Sequence, residues 1–88
     1  MRIQRFPQGF IDLTDGVLTI GGGDTTTIAS GDVRTLTARE GKKSLFSRNP
    51  PAVVEIEYAA GTDVVRTKLL IPVDELPRAR ELAARFAG

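Results

Sequence analysis

In FIDLTDGVLTI, Phe10 to Ile20, the apolar residues Ile11 and Leu13, then Leu18 and Ile20, stand at alternate positions on either side of Asp15–Gly16. A period of two marks a strand with one buried face, and an Asp-Gly pair supplies the positive φ angles of a two-residue type I′ turn. The pattern predicts a hairpin in which Thr14 opposes Val17, Leu13 opposes Leu18 and Ile11 opposes Ile20, so that apolar meets apolar on one face. The run IGGGDTTTI, Ile20 to Ile28, follows directly. Its β-branched threonines favour a strand, and a loop from Gly21 to Thr25 would set Ile20 against Thr26 and Leu18 against Ile28. Ser30, Gly31 and Asp32 then read as a turn before a strand over Val33 to Arg39. Val33 and Leu36 are three apart, which breaks the alternation and predicts a bulge near Arg34 or Thr35.

The most regular pattern is AVVEIEYAAGTDVVRTKLLI, residues 52–71. A four-residue loop, Ala60 to Asp63, places Tyr58 opposite Val65, Ile56 opposite Thr67 and Val54 opposite Leu69. The same register puts Glu57 opposite Arg66 and Glu55 opposite Lys68 on the other side, a solvent-facing ladder of opposite charges. Beyond Pro72 the period changes to that of a helix. Leu76, Ala79, Leu82, Ala83 and Phe86 form one apolar stripe, Asp74 is a candidate N-cap, Pro77 fits the first turn, and Glu81–Arg85 is a favourable i, i+4 pair. The stripe must cover something: the strand body itself, a partner helix or a membrane surface. The chain thus divides into a strand body, residues 1–72, and a helical tail, residues 73–88, and its 88 residues make one domain.

Composition narrows the chemistry. The sequence contains no Cys and no His, which removes disulfides, thiolate nucleophiles, the usual zinc sites and histidine acid–base steps. Twelve Lys and Arg against eleven Asp and Glu give a net charge of +1, far from the cationic surface of a nucleic-acid binder. No apolar run reaches the roughly 20 residues of a membrane span, and MRIQRFPQG lacks the apolar centre of a signal peptide, so a cytoplasmic protein is expected. The triple glycine raises the question of a phosphate cradle. Such a loop needs a lysine at its end and a helix behind it, and here three threonines follow, so the run reads as a hairpin tip. Glu55 and Glu57 sit beside cations that keep both ionised, which makes them structural rather than a catalytic acid and base. No metal site or cofactor is expected.

The segment GKKSLFSRNPP, residues 41–51, is the longest irregular piece. Lys42, Lys43 and Arg48 surround Leu45 and Phe46, giving a basic loop with an apolar tip. Such a loop suits a lipid headgroup, a nucleic acid or an acidic protein; the plainer reading, which is preferred, is a solvated loop with Phe46 tucked against the core.

Taken together, FIDLTDGVLTI, TTIASGDVRTLTARE, VVEIEYAAGTDVVRTKLLIP and LPRARELAARF resemble the bacterial PH-like domains, over Phe10 to Phe86. The resemblance implies a mainly β fold: a bent antiparallel sheet or partly open barrel of about six to seven strands, capped by one C-terminal helix. Two departures bear on function. Many bacterial relatives carry transmembrane helices, which this sequence lacks. Lipid-binding PH domains place basic residues between their first strands, whereas the turns at Pro7–Gly9 and Thr14–Gly16 have none, so phosphoinositide binding is disfavoured. The expected function is a small non-catalytic binding or adaptor domain acting through protein contacts, with a homo-oligomer among the options. The alternative is an anionic-ligand module, in which Lys42, Lys43, Phe46 and Arg48 of the loop 39–48 hold an acidic lipid headgroup or a nucleic acid.

Overall fold

A computed structural model describes residues 1–42 and 50–87. Its strands are β1 (Arg2–Gln4), β2 (Phe10–Thr14), β3 (Val17–Gly21), β4 (Thr26–Ala29), β5 (Val33–Arg39), β6 (Ala52–Ala60) and β7 (Asp63–Ile71). A 3-10 turn, Ser30–Asp32, links β4 to β5, and a second, Val73–Glu75, leads into the helix α1, Leu76–Phe86. The strands form two antiparallel sheets, β1-β2-β3-β4 and β5-β6-β7, which do not close into a barrel.

The registers follow from the apolar pattern. Leu13 pairs with Leu18 and Ile11 with Ile20 around a turn in which Asp15 has φ 53° and Gly16 φ 75°. Leu18 pairs with Ile28 and Ile20 with Thr26. The expected bulge falls between Val33 and Thr35. In the last hairpin Tyr58 pairs with Val65, Ile56 with Thr67 and Val54 with Leu69. Pairing there runs further than the four-residue loop anticipates: Ala60 pairs with Asp63, leaving Gly61 and Thr62 as the turn. Gly61, at φ 64°, takes the first position, where a type II′ turn favours glycine.

Both sheets and the helix contribute to one core. Ile3, Ile11, Leu18, Ile20 and Ile28 come from the first sheet, and Leu36, Ala52, Val54, Ile56, Leu69 and Ile71 from the second. Leu76, Ala79 and Leu82 enter from α1, which packs against β5, while Ala83 and Phe86 lie partly buried beside them. The helix stripe therefore covers the chain's own strand body. Two local expectations change. Asp74 does not cap α1; it lies in the 3-10 turn, and no side chain caps the helix. The ion pair at the helix is Glu75–Arg78 at 3.8 Å, and Glu81–Arg85 is not among the ion pairs of the described residues.

The strand β1 was not anticipated. It pairs with β2 through Ile3↔Ile11, which brings a fully buried side chain into the core from an N-terminal segment with only one apolar residue inside it.

Candidate binding surface

The loop Arg5–Gly9 between β1 and β2 is held down by its own backbone and by one cation. The Arg5 N–H donates to the Gly9 carbonyl (3.0 Å), and the Arg5 guanidinium donates through Nη1 to the carbonyl of Gly21 (2.7 Å). At this junction Gly9 has φ 104°, and a side chain there would run into the Gly21 carbonyl oxygen. The same is true of Gly21, where an added Cβ would collide with the Phe10 ring. The triple glycine is thus a place of close backbone approach at a hairpin tip, followed by a strand rather than by a helix. Arg2 stacks its guanidinium over the other face of this assembly, 4.3 Å from the Phe10 ring centre.

Clamping this loop fixes where Phe6 stands. Its N–H donates to the carbonyl of Leu70 in β7 (2.9 Å), and two residues earlier the Gln4 N–H donates to Glu75 Oε2 (2.7 Å). The first bond ties this loop to the second sheet, and the second ties β1 to the turn that leads into α1, at one corner. At that corner three large apolar side chains remain in solvent: Phe6 is 48% exposed, Leu70 43% and Val73 41%. Phe6 and Val73, with Pro51, Pro72 and Asp74, line a shallow groove of about 220 Å³. Its two prolines have no backbone N–H to offer, so the groove presents mainly shape and apolar surface.

Next to the corner lies the outer face of β5-β6-β7. Glu55 accepts from Arg39 Nη2 at 2.8 Å and faces Lys68 Nζ at 3.6 Å, while Glu57 accepts from Arg66 Nε at 3.2 Å. The charge ladder expected from the register is present. The Arg39 hydrogen bond, reinforced by the Coulomb attraction of Arg39 and Lys68, outweighs partial desolvation and holds the Glu55 carboxyl below its ordinary value of 4.5. A carboxylate stabilised in its charged form is a poor general acid at neutral pH.

Of the residues singled out as an anion or partner site, Lys42 is exposed just beyond β5. Lys43, Phe46 and Arg48 lie outside the described residues. Among the described residues no three Asp or Glu side chains come together as a metal-binding group, and no helix is long and apolar enough to cross a membrane. Nothing along the chain points to Phe6, because one aromatic between Arg5 and Pro7 has no periodicity to place it. Comparison with models of known protein families, with curated proteins and with solved structures brought out no match.

Proposed function

We propose that this chain is a small non-catalytic binding domain of the PH-like kind, and that it works by docking a protein partner at the corner where its two sheets meet. The observation that carries this reading is the grouping of Phe6, Leu70 and Val73, each more than two-fifths exposed, at one corner, where Phe6 and Val73 line a groove with Pro51 and Pro72. Single exposed apolar residues are ordinary; several at one corner of a domain that buries fourteen others among the described residues mark a contact surface. The PH-like kinship draws on the run of elements: seven strands, then a closing helix.

The test is a double variant, Phe6→Ser with Val73→Ser, which alters exposed side chains and should leave the melting temperature close to that of the wild type. The partner that co-purifies with the wild-type protein from its own cells, identified by mass spectrometry, is then offered to both proteins in purified form. Binding lost in the folded double variant supports the reading, and equal binding refutes it. Binding to acidic vesicles or single-stranded nucleic acid that survives the double variant and falls steeply with salt would favour the basic loop instead.

A further inference from the structure

Strand β7 ends its sheet, so one side of its backbone has no neighbouring strand. Which residues face that side follows from two facts. The Leu70 carbonyl accepts from Phe6, outside the sheet, so Leu70 turns its polar groups away from β6. In an antiparallel ladder this orientation alternates, so Val64, Arg66 and Lys68 turn theirs the same way. Among the described residues the Leu70 carbonyl alone on this edge has a partner; the N–H and C=O groups of Val64, Arg66 and Lys68 have none. The side chains of these same residues stand on the charged outer face, with Arg66 80% and Lys68 70% exposed.

The charges say what fits beside them. Across the face one row runs from base to acid to base, Arg39, Glu55, Lys68, and the next from acid to base, Glu57, Arg66. Three cations meet two carboxylates, and the carboxylates all lie on the β6 side of β7. A further strand would therefore be matched by acids at two alternate positions, opposite Arg66 and Lys68, with an apolar residue beyond each, one to meet Val64 and the other to end against Phe6, which takes the edge at Leu70. The strand β6 already presents that order to β7, as Val53, Glu55, Glu57 and Ala59. A second copy of the chain fits poorly: registers that keep its cations apart pair only part of the strand. Pairing β7 with β7 about a two-fold at Thr67 sets Arg66 against Lys68 twice, cation against cation.

Building on the reading of this chain as a protein-binding domain, we infer that the free edge of β7 takes an extended acidic segment of a partner protein as an added strand. Main-chain bonds to Val64, Arg66 and Lys68 hold it, and its two acidic side chains choose it. Edge cations also discourage unwanted strand pairing, and selection for acidic strands is the other side of the same electrostatics.

The probe is the capped peptide Val-Thr-Glu-Thr-Glu-Thr-Val, followed by amide NMR and hydrogen exchange on the whole 88-residue chain. The expected result is slowed exchange at the Val64, Arg66 and Lys68 amides, with the Val65 and Thr67 amides, already bonded to β6, unchanged. A peptide with Lys in place of both Glu should not bind. Arg66→Ala with Lys68→Ala should weaken binding by about 2- to 30-fold, two exposed cross-strand pairs being lost. Arg66→Glu with Lys68→Glu, if folded by its melting curve, should prefer the Lys peptide; if it does not fold, the alanine pair decides. Equal binding of both peptides, or protection that skips the three edge amides, overturns the inference. Protection confined to Phe6 and Val73 overturns it while leaving the docking corner standing, whereas a partner indifferent to Phe6→Ser with Val73→Ser sinks the docking corner alone.

Discussion

Leu82 is the residue on which the relation between helix and strand body turns. It is fully buried on the face of α1 that meets the core, between Ala79 and Phe86 on the same stripe. Replacing it by Ala removes three carbons, and at about 0.8 kcal/mol per buried methylene the lost transfer energy is about 2.4 kcal/mol. Two rigid sheets cannot both collapse onto the gap, so a cavity contribution adds to this, and the total should lie in the upper part of the range of about 2 to 5 kcal/mol for such changes. A domain of this length has roughly 4 to 13 kcal/mol in all. Each kcal/mol shifts the midpoint of so small a domain by about 4 to 8 °C. Leu82→Ala should therefore lower the melting temperature by more than about 12 °C, followed by far-UV circular dichroism at several protein concentrations. Phe86→Ala should cost less, because Phe86 is only partly buried. A midpoint for Leu82→Ala within about 2 °C of the wild type, at every concentration, would refute the placing of this helix in the core.

Three further outcomes follow from particular contacts. The Glu55 carboxyl is depressed in the folded chain, so its ion pairs stabilise fully above about pH 4.5 and are lost as the pH falls through the lower folded value. Urea midpoints of wild type and Glu55→Gln should thus differ by a constant amount at neutral pH and converge in acid, with added salt narrowing the gap. Gly9→Ala, forced into positive φ and against the Gly21 carbonyl, should cost about 2 kcal/mol or more by urea titration, whereas Gly31→Ala, which meets only open space, should be close to neutral. Glu75→Ala removes the acceptor of the Gln4 N–H and should cost about 1 kcal/mol while speeding hydrogen exchange at the Gln4 amide.

The hairpins were legible because each is specified twice. In β2–β3 the Asp15–Gly16 turn and the alternation of Ile11, Leu13, Leu18 and Ile20 demand the same register, and a slip of one residue would turn every one of these side chains to solvent. In β6–β7 the charges of Glu55, Glu57, Arg66 and Lys68 agree with the apolar face as well. Where only one local rule speaks, tertiary contacts overrule it. Asp74 is a good N-cap by type, but the chain leaves Pro72 in a 3-10 turn, and it is Glu75 that reaches back to Gln4. The strand β1 has a single inward residue, Ile3, and its partner lies beyond an irregular loop, so alternation had nothing to count. The exposed corner joins Phe6 to Leu70 and Val73, which lie far along the chain and meet it only after both sheets have formed. No window along the chain contains it.

The bond from Gln4 to Glu75 spans 71 positions of chain. At about 5 to 20 residues per second of synthesis, the second partner follows the first by roughly 4 to 14 s. During that interval β2, β3 and β4 can pair through short turns, yet Ile11, Leu18, Ile20 and Ile28 have neither the second sheet nor the helix to cover them. Until β5, β6, β7 and α1 follow, these side chains are open to chaperones and to wrong partners. Closure of the corner is therefore a late event: Phe6 finds the Leu70 carbonyl, and Gln4 finds Glu75, only after β7 and the turn beyond it have left the ribosome.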